Sequence, residues 1–223
     1  MRTTVYDQLP TATTGPPVSQ VERALLVELL QKESPQAPTL CEGWRAHHLV
    51  AHLVSREGGP DEVAKTVLAR GGDRRVAAMA ASSPYSSLVE RLALGPPRGS
   101  VFAIARVEPV LNTVEFLVHH EDVRRAGPDW AARSLPGWAE DQIWTRLRVL
   151  AKLTMRRAGT GVRLVRSGAD GSWTVSKGEQ VAVVEGRPSE LALFVTGRSQ
   201  VADVTVTGPD AAVAALQRFR PTS

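Results

Sequence analysis

The histidines of this sequence fall in two short stretches. The first holds His47, His48 and His52, and the second holds His119 and His120. Glu115 precedes His119 by four residues, so on an α-helix the two side chains would lie about 40° apart on one face. A carboxylate oxygen and an imidazole nitrogen placed in this way can bind the same metal ion.

A third ligand has to come from a separate helix, and His52 is the candidate. Asp122 follows His119 by three residues and joins the same face, whereas His120 is turned away by about 100°. Three nitrogen and oxygen ligands with an open fourth position are typical of a catalytic site for zinc or a similar divalent ion. The same spacing also occurs on solvated helix faces, and the spacing of His48 and His52 makes His48 either a supplementary ligand or a surface histidine.

Other side chains are candidates for binding a substrate or for nucleophilic chemistry. Arg45 and Arg56 lie about 20° and 40° around the helix from His52 and could hold an anion or be solvated. Arg218 and Arg220 could reach the same pocket if the C-terminal domain packs over it, which predicts a pocket at the domain junction. Cys41 is either a nucleophile near a helix start or a small packed side chain.

Composition excludes several classes of protein. Hydrophobic residues make up 43% of the 223 residues and charged residues 22%, as in a folded chain of one large or two small domains. The net charge of +4 is spread along the chain without a basic block, so nucleic acid is not an expected partner. The sequence has no apolar run of membrane-spanning length and no signal-like N-terminus. With a single cysteine as well, we expect a cytoplasmic protein without a membrane partner.

The first two thirds of the chain have helical periodicity. After an arm over residues 1–18, Ser19 and Glu22 have the spacing of a capping box. Helices are predicted near residues 20–32, 44–57, 61–70, 74–94 (broken at 82–84), 109–126 and 138–158. We expect 20–32, 44–57, 109–126 and 138–158 to form an up-down-up-down four-helix bundle, with 61–94 as a lid or as shorter helices beside it.

After Gly159 the pattern alternates as in strands. Strands are predicted at residues 161–166, 172–175, 180–184 and 202–207, and helices at 188–196 and 209–219. The fold class is therefore α+β. The predicted domains are the arm over 1–18, a metal-binding bundle over 19–159 and a small α+β domain over 160–223.

Two motifs in this order resemble those of a known family. Residues 39–44 (TLCEGW) with 49–54 (LVAHLV), and residues 112–126 (NTVEFLVHHEDVRRA), resemble the mycothiol-dependent maleylpyruvate isomerase family, an actinobacterial group within the DinB-like metal-binding superfamily. Residues 208–210 (GPD), which lead into the last helix, are similar to the sterol-carrier-like C-terminal domain found there. The resemblance implies a DinB-like four-helix bundle followed by that small α+β domain.

The resemblance also has implications for the site. His52, Glu115 and His119 match the three metal ligands of the family, and His48 stands where the pattern leads us to expect an aspartate. The implied function is that of an isomerase or thiol transferase, in which a divalent metal, zinc, holds mycothiol as the thiolate that adds to a small electrophile. The partners are then a small-molecule thiol and an electrophilic substrate. The alternative is a non-catalytic metal-binding or small-ligand-binding module of the same superfamily.

Overall fold

The computed structural model describes residues 15–58, 72–104 and 107–219. In these residues it contains eight α-helices and one four-stranded β-sheet, which confirms the mixed class predicted from the sequence. By their packing the described residues divide into two compact units. One is Pro16–Ala131, and the other is a C-terminal unit that begins at Ala132 and also includes Gly15. Most of the predicted arm, residues 1–14, lies outside the described residues.

The regular elements of the N-terminal unit, where it is described, are helices apart from one isolated β-bridge between Pro38 and Arg45. Its α-helices are α1 (Val18–Lys32), α2 (Ala46–Arg56), α3 (Gly72–Ser82), α4 (Tyr85–Leu94) and α5 (Glu108–Arg124), and a short 3-10 turn covers Val101–Ala103. Pro109 stands in the first turn of α5. Backbone N–H groups there have no acceptor within the helix, so the lack of an N–H in proline breaks no helical hydrogen bond. The helix predicted over residues 61–70 lies outside the described residues.

The core of this unit is formed by apolar positions of α1, α2, α4 and α5. Leu30, Leu53, Leu88, Leu92 and Phe116 are almost completely buried, and each such side chain stabilises the fold by roughly 1.5–3 kcal/mol. The helix α4 packs against both α1 and α2, and α3 packs against α2. Where it is described, the segment 61–94 therefore forms shorter helices that complete the core rather than a lid.

The start of α1 differs from the prediction. The helix begins two residues earlier, with Pro17 at its cap and no capping side chain. Ser19 Oγ donates to Glu108 Oε2 at 2.7 Å, and Glu22 Oε2 lies 2.7 Å from His120 Nδ1. The predicted capping box is wrong because both side chains are buried against α5, where they pair with polar groups that would otherwise be left unsatisfied.

The C-terminal unit combines helices with the sheet. Its helices are α6 (Gly137–Met155), α7 (Pro188–Val195) and α8 (Asp210–Arg218), and its strands are β1 (Gly161–Arg166), β2 (Ser172–Ser176), β3 (Val181–Gly186) and β4 (Val204–Thr207). The strand order is β2-β1-β3-β4, with β1 and β3 parallel and the outer pairs antiparallel. These bounds agree with the sequence prediction to within about two residues at nearly every end, the accuracy to which helix and strand ends are defined.

The helix α6 packs inside the C-terminal unit, against α7 and β2. Trp144 stacks on Trp173 of β2 with ring centroids 3.7 Å apart, and Glu140 accepts hydrogen bonds from the N–H and Oγ–H of Ser189. We predicted this helix as the fourth member of the N-terminal bundle. Its contacts assign it to the sheet, and along the chain the N-terminal unit ends at Ala131 rather than near 159.

No helix in the described ranges combines the length and the apolar character that a membrane span requires.

Candidate metal centre

Side chains from α2 and α5 converge at one point of the N-terminal unit. His52 Nε2 lies 3.0 Å from Glu115 Oε1, and His119 Nε2 lies 3.3 Å from the same oxygen. One ligand atom from each of the three residues lies within 4.8 Å of the others. The structure therefore brings together the three residues that the sequence singled out, in a donor set of two nitrogens and one oxygen that suits zinc.

Asp122 determines which nitrogen of His119 faces the cluster. Its Oδ2 accepts a hydrogen bond from His119 Nδ1 at 2.9 Å, and its side chain is fully buried. With Nδ1 held by Asp122, Nε2 is the nitrogen of His119 that faces Glu115. Histidines that bind metals are commonly oriented by a carboxylate in this way.

The protonation of His52 and Glu115 favours cation binding. Burial lowers the pKa of His52, and this outweighs the opposite effect of Glu115. Burial alone would raise the pKa of Glu115, but the Arg56 charge and hydrogen bonds from His119 and His52 together hold it well below its usual range. The cluster thus offers a neutral imidazole and an ionised carboxylate near neutral pH.

The protonation of His119 is more tightly coupled to its neighbours. Burial alone would lower its pKa, but hydrogen bonds to Asp122, Cys41 and Glu115 raise the pKa of His119 well above its ordinary value. These contacts favour a second proton on the ring, between the carboxylates of Asp122 and Glu115. A metal ion at Nε2 would take the place of one proton, which is the usual exchange at such sites.

Arg56 borders the cluster, as its position on α2 predicted. Its Nε lies 3.3 Å from Glu115 Oε1, and its terminal nitrogens donate to Asn112 Oδ1 and to the Leu111 carbonyl oxygen. The guanidinium also lies over the Phe102 ring at 4.7 Å. These contacts favour a role in holding Glu115 over the predicted role in holding a substrate anion.

The loop before α2 forms a wall of the centre. The Leu40 N–H donates to the Asp122 carbonyl oxygen, which fixes the loop against α5. Cys41 Sγ then lies 3.1 Å from Asp122 Oδ2 and donates to it, and the Trp44 ring lies 5.1 Å from the His52 ring. Cys41 is thus packed, as one of the two interpretations of the sequence predicted. Its sulfur contacts polar atoms, Asp122 Oδ2 and His119 Nδ1.

The remaining histidines have structural partners. His48 Nδ1 accepts from the Arg45 N–H at 3.2 Å and so caps the start of α2. His47 Nε2 donates to the Ser83 carbonyl oxygen at 3.0 Å, and His120 pairs with buried Glu22 on α1. Among the described residues, none of these three histidines belongs to a group with metal-ligand geometry.

Of the other arginines predicted to bind an anion, one is described in each unit. Arg45 is exposed at the cap of α2, and Arg218 is the last residue of α8 in the C-terminal unit. Arg220 lies beyond the last described residue. The predicted pocket at the domain junction therefore stays a prediction.

Sequence reasoning missed two features of the centre. One is the contact of Cys41 with Asp122, and the other is Asn112, which accepts from Arg56 and donates to Glu57 Oε1 at 2.8 Å. Asn112 precedes Glu115 by three residues, so its place beside the cluster face could have been read from helical spacing. The position of Cys41 depends on a loop, for which the sequence has no comparable periodic signal.

The fold is similar to that of a solved enzyme. The crystal structure of a mycothiol-dependent maleylpyruvate isomerase matches with a TM-score of 0.59 and 15% identity, over 93% of this chain and 96% of that chain. A histidine-to-alanine mutant of that isomerase matches over the same shares, with a TM-score of 0.59 and 16% identity. No family model and no curated protein matches the sequence. The comparison supports a fold like that of this isomerase, and the arrangement as a four-helix bundle followed by a sterol-carrier-like domain stays a prediction.

Proposed function

We propose that this chain is a divalent-metal enzyme that binds a low-molecular-weight thiol as its thiolate and directs it to a small electrophile. The observation that carries the proposal is the convergence of His52, Glu115 and His119 with His119 oriented by Asp122. The similar crystal structure is described as mycothiol-dependent, and we carry mycothiol over to this chain as the proposed thiol. Isomerisation and thiol transfer are the reaction types that follow.

Each residue of the centre has a task in this proposal. His52, Glu115 and His119 would hold the ion, and zinc suits their nitrogen and oxygen donors. A divalent ion held there would supply a Lewis acid that lowers the pKa of a coordinated thiol. Glu115 acts as a ligand and not as a general base, because Arg56, His119 and His52 all stabilise its ionised form.

The surroundings of the ligands also suit a reaction at an open position. The side chains of His52 and Glu115 keep 21% and 24% of their exposed area, so a small molecule has access to one side of the cluster. The other side is closed by Asp122, which is fully buried. A site that is open on one side and dry on the other suits substrate access together with strong electrostatic interactions.

The test combines metal content with thiol turnover. Protein purified with zinc is analysed for bound metal and then incubated with mycothiol and a panel of small electrophiles, including maleylpyruvate. We expect one ion per chain and metal-dependent consumption of thiol or isomerisation of an electrophile, with the turnover lost in His52→Ala and kept in His47→Ala. Stoichiometric metal without any thiol binding or turnover would instead support the non-catalytic module.

A further inference from the structure

His119 presents its two ring nitrogens to two different sets of ligand atoms. Its Nε2 faces Glu115 and His52. Its Nδ1 lies 2.9 Å from Asp122 Oδ2 and 3.9 Å from Cys41 Sγ, and this sulfur lies 3.1 Å from the same carboxylate oxygen. Cys41, His119 and Asp122 thus form a second group with metal-ligand geometry among the described residues.

The triangle of these three atoms has the right size for one ion. Zinc lies about 2.3 Å from a thiolate and about 2.0–2.1 Å from imidazole nitrogen or carboxylate oxygen. At these lengths the three separations would subtend angles of about 90°, 90° and 130° at a single ion. Shifts of about 0.3–0.5 Å would bring the angles to tetrahedral values and leave a fourth position for water.

We propose that Cys41, His119 and Asp122 form a second metal position, selective for thiophilic divalent ions, and that an ion bound there excludes one from His52 and Glu115. A neutral imidazole has one lone pair, so His119 can ligate through Nδ1 or through Nε2 but not through both. The two positions are therefore alternatives as long as the ring keeps one proton. This inference goes beyond the proposed function, in which Cys41 has no part.

The donor atoms explain the selectivity. A thiolate prefers soft ions, whereas the imidazole and carboxylate donors of the first position also accept harder ones. Cys41 has to lose its thiol proton to the solvent when it binds an ion, and it is only partly buried. Cd²⁺ is the most suitable probe for binding at Cys41, because it binds thiolates strongly and is not redox-active under these conditions.

The experiment is a titration of the full chain with Cd²⁺. Binding is monitored through the ultraviolet charge-transfer absorption of a thiolate bound to cadmium. Cys41 is the single cysteine of the sequence, so this band reports on Cys41 alone. We expect the band to saturate at one Cd²⁺ per chain, with equal intensity in the unmodified protein, in His52→Ala and in the control His47→Ala. It should be absent in Cys41→Ser.

A second measurement requires no variant. Iodoacetamide alkylates thiolates, so bound Cd²⁺ should slow the alkylation of Cys41 in the unmodified protein by about tenfold or more. Equilibrium dialysis at saturating Cd²⁺ should give one ion per chain, because the two positions exclude each other.

Three results would overturn the proposal. Absence of the band, with alkylation unchanged by Cd²⁺, would show that Cys41 is not a ligand. Loss of the band in His52→Ala but not in His47→Ala would mean that Cys41 joins the same ion as His52. Two ions per chain would show that the positions are independent. None of these readouts depends on turnover, so a failure of the proposed enzyme activity would not be confused with them.

Discussion

Replacing Asp122 with asparagine removes the charge that lies behind His119. The Asp122 oxygen is 2.9 Å from Nδ1 and has no exposure to solvent, so water does not weaken this hydrogen bond. Loss of such a supporting carboxylate typically weakens metal binding by about 10–100-fold. An asparagine oxygen can still accept from Nδ1, so we expect about tenfold for Asp122→Asn and about 100-fold for Asp122→Ala. These losses correspond to about 1.4 and 2.8 kcal/mol of binding free energy.

The assay is a competition for Zn²⁺ between the protein and a fluorescent chelator of known affinity. It is made in the Cys41→Ser background, so that only the position formed by His52, Glu115 and His119 is measured. Glu28→Gln serves as the control, because Glu28 pairs with Lys32 on an exposed helix face. If both Asp122 variants fold normally and bind Zn²⁺ within about twofold of the background protein, Asp122 does not support His119.

Three further predictions concern the two units. Elemental analysis should find no stoichiometric metal in His119→Ala, whereas His120→Gln should keep it. Equal losses in the two variants would contradict the assignment of His119, and not His120, to the metal position. Arg23→Met should lower the free energy of unfolding in urea by about 3–5 kcal/mol, because it leaves the carboxylate of Glu57 buried without its charged partner; a loss below about 1 kcal/mol would show that the pair is dispensable. Burial raises the pKa of Glu140 above 4.5. Between 4.5 and the raised pKa, Glu140 therefore holds a proton in the folded protein that it releases in the unfolded chain. The free energy of unfolding should fall as the pH rises through this range. The stability of Glu140→Gln relative to the unmodified protein should therefore increase over that range, and a constant difference would refute the argument.

Local periodicity made part of the site predictable. Glu115 and His119 share a face because four residues are close to one helical turn, and the structure places their side chains in contact. His52 could be matched to them through the motif around it, since helical spacing within one element carries no information about a second helix. Cys41 reaches Asp122 through loop hydrogen bonds to α5, and such tertiary contacts leave no periodic signal.

The lack of a sequence signal for tertiary contacts also explains why the packing partner of the helix α6 was predicted wrongly. Its bounds follow from its apolar periodicity, but an apolar stripe can pack against another helix or against a sheet. Trp144 finds its partner in Trp173, which comes 29 positions later in the sequence. The choice of partner for α6 therefore depends on long-range packing. The strands needed less of this information, because the segments 161–166 and 202–207 alternate with period two in the sequence.

The stacked pair of Trp144 and Trp173 makes the C-terminal unit optically distinct. Indole rings 3.7 Å apart and nearly parallel couple their electronic transitions, so the pair absorbs and emits differently from a lone tryptophan and loses this signature when α6 leaves β2. Trp44 lies beside His52 in the other unit, where Co²⁺ or Cu²⁺ at the metal position would quench its fluorescence. A single unlabelled chain thus carries one intrinsic reporter for the folding of the sheet and another for occupancy of the metal position. Recording both during one denaturation would show whether the two units unfold together or in sequence.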